Sequence, residues 1–151
     1  MDITGIKSAF YGTAVFVGSA LSALFGGFDM ALVTLAVFMA VDYVTGIIVA
    51  GVFHKSLKTK NGSLESKAGF KGLFRKGVTL LIVLVAARLD AVMHTSFIRD
   101  GVILAYIANE TLSIVENAGL MGIPIPTAIK NAVEALKSKE VKKDDQSSDN
   151  G

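Results

Sequence analysis

Apolar positions in this chain come in long runs separated by short polar breaks. From Ser8 to Phe28, 21 positions carry no ionisable side chain except tyrosine. Asp29 interrupts, and Met30 to Phe53 then runs 24 positions with a single charge, Asp42. A third run opens at Gly77, stays uncharged to Ala87, and takes in Arg88 and Asp90 before ending near Phe97. A fourth, from Gly101 to about Gly122, is apolar but contains Asn109, Glu110, Glu116 and Asn117. A helix crossing a hydrocarbon core about 30 Å thick needs about 20 apolar residues. The first two runs therefore predict membrane helices, the third predicts another, and the fourth predicts a helix of mixed character. A secretory leader has a shorter apolar stretch, about 7–15 residues, behind a positive segment. Here the run is longer and Lys7 is offset by Asp2, so the first segment is expected to be retained.

The breaks carry the charge. His54 to Lys76 holds Lys55, Lys58, Lys60, Lys67, Lys71, Arg75 and Lys76 against Glu65 alone. Lysine and arginine beside membrane spans mark the cytoplasmic side, so this loop sets the topology. Within it, Asn61-Gly62 reads as a turn, and Ser63 or Ser66 is placed to cap the following helix. Alternation then puts the amino terminus in the cytoplasm, Gly26-Gly27-Phe28-Asp29 in a tight outer turn, and His94 to Asp100 outside. The tail brings Lys130, Lys137, Lys139, Lys142 and Lys143, which favour the cytoplasm and so require the fourth segment to cross. Glu110 and Glu116 oppose that crossing, since a central acidic residue costs about 2.5–3.5 kcal/mol on insertion scales. Three spans and four both remain open at this level.

Helical spacing assigns faces. Ala14, Gly18, Ser22 and Gly26 recur every fourth residue, with Ser19, Ala23 and Gly27 beside them, and Gly46 continues the theme in the second run. Small residues at this spacing allow close helix approach in lipid, either within one bundle or between copies. Asp42 and Arg88 each fall near mid-span, so an intramembrane Asp42–Arg88 pair is expected, with Asp90 as the competing partner. In the fourth segment Asn109, Ser113 and Glu116 share one face, flanked by Glu110 and Asn117. Leu104, Ile107, Ile114 and Val115 lie opposite. That amphipathic helix could lie on the surface, pack into the bundle, or line an aqueous lumen once copies assemble. Gly122-Ile123-Pro124-Ile125-Pro126 breaks it. Thr127 to Lys139 predicts a short amphipathic helix, with Ala128, Ile129, Ala132, Val133 and Leu136 on one side. Glu140 to Gly151 is polar and expected to be disordered.

Composition then narrows the function. The 151 residues fit one domain, divided here into a membrane unit at 1–129, with its basic loop at 54–76, and a charged cytoplasmic tail at 130–151. The chain is 52% hydrophobic and 19% charged, where a soluble domain has about 25% charged residues. A net charge of +2 argues against a nucleic-acid surface. Cysteine is absent, excluding disulfides, thiol catalysis and zinc fingers. The two histidines, His54 and His94, stand 40 residues apart, and no HExxH, GxSxG or phosphate loop occurs. The expected class is an all-α, small multi-pass membrane bundle that is not an enzyme and holds no cofactor or metal.

The stretch from about Asp42 to Leu136 resembles the toxin-secretion and phage-lysis holins of Gram-positive bacteria and their phages. The resemblance rests on Asp42 with Gly46, then Gly69-Phe70-Lys71-Gly72-Leu73-Phe74-Arg75-Lys76 and Arg88-Leu89-Asp90. It continues through Tyr106-Ile107-Ala108-Asn109-Glu110, Ser113-Ile114-Val115-Glu116-Asn117 and Gly122-Ile123-Pro124-Ile125-Pro126. It implies a protein commonly described with three spans that accumulates in the bacterial cytoplasmic membrane, oligomerises with itself, and opens lesions. A murein-degrading endolysin, or a toxin, then escapes without stable binding being implied. The rival from another class is a small oligomeric ion channel or transporter subunit, which would conduct ions and retain proteins; a passive membrane scaffold would do neither.

Overall fold

The structure, a computed structural model, describes residues 3–132, 134 and 135. Four long helices form the bundle among the described residues, α1 (Ile3–Phe25), α2 (Met30–Gly51), α3 (Ser66–Met93) and α4 (Phe97–Leu120), and no strand occurs among them. At about 1.5 Å per residue, α1, α2 and α4 are about 33–36 Å long and α3 is about 42 Å. Two of them, α1 and α2, are long and apolar enough to cross a membrane, with mean hydropathies of 1.5 and 2.2.

The first turn follows its residues closely. Gly26 and Gly27 both take positive φ, at 74° and 106°, which a side chain resists. The Gly27 amide donates to Ser22 O at 2.8 Å, closing the end of α1. Asp29 then caps α2, its Oδ1 accepting from the Leu32 amide at 2.9 Å. In the basic loop Gly62 takes φ 70°, and a Cβ there would collide with the His54 carbonyl. The expected Asn61-Gly62 turn is present on those terms.

Helix boundaries differ from the expected runs in two places. The third helix begins at Ser66, eleven residues before the apolar run at Gly77, because the basic half of the loop is itself helical. Its N-cap is Glu65, which makes no side-chain capping bond; neither Ser63 nor Ser66 caps it. The outer loop expected at 94–100 shrinks to three residues, since α4 already starts at Phe97. Asp90 explains the tight connection. Its carboxylate reaches across the turn and accepts from the Thr95 hydroxyl, the Ile98 amide at 3.2 Å and the Arg99 amide at 2.8 Å. It thereby satisfies donors that a helix start leaves open. His94 ends α3 in the left-handed conformation, with φ 56°.

Seams at heptad spacing hold the helices together. On α2 they are Leu32, Leu35, Met39, Asp42 and Val49; on α3, Val83, Ala86, Ala87 and Asp90; on α4, Arg99, Ile103, Glu110 and Asn117. Leu35, Val49, Val83 and Ile103 are fully buried. The pairings of 29 with 99, of 42 with 117, and of 42 and 110 through Lys76 show that α2 and α4 run parallel, packed against each other along their length, with α3 in the opposite sense and packed mainly on α4. Helix α1 buries no residue and touches the bundle through α3 and its own C-terminal end. Residues 127–132 are helical. The expected helix to Lys139 runs past the described residues, and the tail beyond residue 135 lies outside them.

Candidate functional site

Lipid tails are as apolar as leucine, so an apolar seam gains little from burial between membrane helices; packing and polar contacts specify the bundle. The polar contacts here form two clusters, one near the middle of α2 and one where α1 ends and α2 and α4 begin.

The first joins α2, α3 and α4. Lys76 Nζ lies 2.8 Å from Asp42 Oδ2 and 2.5 Å from Glu110 Oε2. Asn117 donates through Nδ2 to Asp42 Oδ1 at 3.1 Å and to Thr45 Oγ1 at 2.9 Å. Asp42, Glu110 and Asn117 are buried and Lys76 nearly so. Two carboxylates thus share one ammonium and one carboxamide. Asp42 stands 12 residues from the start of α2 and 9 from its end, about 18 Å and 14 Å along the axis. The cluster is therefore near the middle of the most apolar helix.

This arrangement corrects the expected Asp42–Arg88 pair. Arg88 is exposed and takes part in no ion pair among the described residues. Asp90, the competing partner, is occupied by the start of α4. Lys76, expected only to set topology, supplies the charge instead. The other basic residues of the loop, Lys55, Lys58, Lys60, Lys67, Lys71 and Arg75, are all exposed. The polar set on α4 divides: Glu110 and Asn117 turn into the bundle, Ser113 is half-buried, and Asn109 and Glu116 are exposed. Of the small residues, Gly46 is half-buried, and a Cβ there would lie 3.8 Å from Asn117 Nδ2. The α1 stripe meets the bundle at its end, where a Cβ on Gly26 would lie 3.5 Å from Arg99 Cδ. Ala14 and Gly26 are exposed, Gly18 and Ser22 half-buried, and an open groove runs along Gly18, Ser19, Ser22 and Ala23.

The cluster forms the floor of a cleft of about 630 Å³ between α2, α3, α4 and the basic loop. Exposed Lys58, Lys71, Arg75, Glu65 and Glu116 surround its mouth.

The second cluster sits at the turn between α1 and α2, against the start of α4, and escaped the sequence reading. Arg99, buried at the start of α4, donates through Nε to Phe25 O at 2.6 Å and through Nη2 to Gly27 O at 3.0 Å. Its Nη1 meets Asp29 Oδ2 at 2.6 Å and Asp100 Oδ1 at 3.2 Å. One guanidinium thus gathers the open carbonyls at the end of α1 and the cap of α2. The Arg99 guanidinium and the Leu32 amide hold the Asp29 carboxyl below its ordinary range. The available signal was an arginine beside a short turn, opposite another short turn with its own aspartate.

An all-helical bundle with two helices apolar enough to cross a membrane, two buried polar clusters and one basic loop points to a membrane protein. The chain belongs to the bacteriophage holin family, whose pattern it matches over residues 19–138. It is 38% identical over 127 residues to an uncharacterized protein of Clostridium perfringens, across 83% of this chain and 88% of the relative. An uncharacterized protein of Listeria monocytogenes is 35% identical over 123 residues, across 81% of this chain and 82% of the relative. A probable holin of Bacillus phage phi105 is 34% identical over 110 residues, across 70% and 76%. No solved structure matches the chain.

Proposed function

We propose that this protein acts as a holin in the cytoplasmic membrane of a bacterial host. Copies self-associate and open lesions through which a signal-less endolysin, or a toxin, leaves the cell. The action is non-enzymatic. The observation that carries this reading is family membership across residues 19–138, which takes in α2, α3, α4 and the buried ion cluster.

The physical features are compatible with such a role. The α1 groove of glycine, serine and alanine is open in the protomer and suits close approach of a second copy. Glu110 and Asn117 are polar side chains on a membrane helix that are satisfied internally in the protomer by Lys76, Asp42 and Thr45. Exchange of these partners for water in an assembled lumen, with Asn109, Ser113 and Glu116 on the same wall, gives the polar set a second use.

Four crossings suit this geometry better than three. Helix α4 runs parallel to α2 and shares its mid-depth charge cluster, so α2 inside the bilayer carries α4 with it. With four crossings, the basic loop supports a cytoplasmic side for the amino terminus, residues 54–76 and the carboxy-terminal tail.

Timed expression with a co-expressed signal-less endolysin tests the function. Abrupt lysis requiring both proteins supports the holin reading. Ion leakage with endolysin retained inside would replace it with a channel or transporter subunit, and neither effect would leave a passive scaffold.

A further inference from the structure

The mouth of the cleft is built differently from its floor. Lys76 on the floor is engaged by Asp42 and Glu110, whereas Lys58, Lys71 and Arg75 have no carboxylate within ion-pair distance among the described residues. Lys71 and Arg75 stand one turn apart on α3, on the helical extension that precedes the apolar run, and Lys58 approaches from the loop. Thr59, also in the lining, keeps its Oγ1 buried with no hydrogen-bond partner. Beside these cations the same turns of α3 expose Phe70, Leu73 and Phe74.

We propose that this cleft binds an anionic phospholipid whose headgroup also carries hydroxyls, as phosphatidylglycerol does. Lys71 and Arg75 hold the phosphodiester, Arg75 in the forked geometry that suits phosphate, and Lys58 and the Thr59 hydroxyl contribute from the loop. Glu65 and Glu116, exposed on the same mouth, accept from the headgroup hydroxyls. The carboxylates on the floor keep the phosphate from penetrating further. Acyl chains leave from Phe74 along the next exposed turns of α3, Val78 and Leu81, into the bilayer. Basic pockets between membrane helices are suited to lipid phosphates, and this one combines unpaired cations, an unpartnered hydroxyl and an apolar exit. A free phosphate ion would use the first two features and leave the third idle.

Native mass spectrometry of the purified full chain, released from nanodiscs of mixed phosphatidylcholine and phosphatidylglycerol, reads the retained lipid directly. The wild type is expected to keep one phosphatidylglycerol. The Lys71→Gln/Arg75→Gln protein should lose about tenfold of that retention, as two charge-assisted phosphate contacts disappear. The Lys60→Gln/Lys67→Gln protein removes the same charge from loop positions outside the cleft and should retain the lipid. Lys71→Arg/Arg75→Lys, which preserves both charges, should retain most of it, and the glutamine pair should keep the wild-type helical content and thermal midpoint. Equal loss in the two glutamine pairs would reduce the effect to general surface charge and overturn the proposal. Equal retention of phosphatidylcholine, or displacement of the lipid by added inorganic phosphate, would overturn it as well.

Discussion

Lys76 and Arg88 show how much one residue's angular position decides. The two stand 12 residues apart on α3, which turns Arg88 about 120° away from Lys76 at 3.6 residues per turn. Lys76 shares the inner seam with Val83 and Asp90, and Arg88 faces outward. Depth along the sequence identified Asp42 as an intramembrane charge needing a partner. It chose the wrong cation because it measured depth from Gly77 and ignored rotation about the axis. The polar residues in the apolar heptads of α2 and α4, Asp42, Glu110 and Asn117, were all legible as candidates; their convergence on Lys76 required three helices in register. Two carboxylates left without their ammonium in a buried site are costly, by about 3–5 kcal/mol. Lys76→Met should therefore lower the thermal midpoint in detergent by many degrees, while Arg88→Ala should change stability by no more than about 0.5 kcal/mol. Adding Asp42→Asn and Glu110→Gln to Lys76→Met should recover part of the loss. If Arg88→Ala proved as damaging as Lys76→Met, the cluster would be misassigned.

At the scale of elements, α1 stands apart. It buries no residue, and its polar attachment is the Arg99 fork on Phe25 O, Gly27 O and Asp29. The glycine turn was readable because Gly-Gly before an aspartate states both the break and the next cap. The fork was not, because an arginine bound to backbone carbonyls leaves no pattern in side-chain types. Arg99→Ala should loosen α1 and increase proteolytic cleavage near residues 26–29, leaving the helical content of α2–α4 unchanged. The Asp29 partner adds a pH dependence of defined sign. Its folded carboxyl titrates below the unfolded value of about 3.9. The pair therefore contributes fully above that value, and the contribution fades as pH falls through the depressed folded value. Asp29 is half exposed, so the effect is below about 1 kcal/mol. Asp29→Asn keeps a capping side chain and should flatten the acid limb of a melting-temperature profile below about pH 4. An unchanged limb would show that the fork contributes no charge pairing.

For the whole molecule, hydropathy separates α1 and α2 cleanly and leaves α3, though its apolar run predicts a span, and α4 ambiguous. The reason is physical. Both ambiguous helices carry charge that only their partners neutralise: Lys76 and Asp90 on α3, Arg99 and Glu110 on α4. A window that counts residues one helix at a time charges each its full insertion cost. In the folded bundle those side chains meet one another, and α4 aligns with α2 over most of its length. A carboxy-terminal reporter fusion after residue 135 should accordingly be active on the cytoplasmic side, as a fusion in the basic loop should be; opposite locations would leave three crossings. The family assignment is independent of that count, and the central claim is about passage of protein. The direct measurement is release of a signal-less endolysin from cells expressing this chain, followed together with optical density. Sudden loss of turbidity at a reproducible time, with endolysin reaching the wall only when this chain is present, is the predicted result. Membrane depolarisation with the endolysin still inside would contradict it.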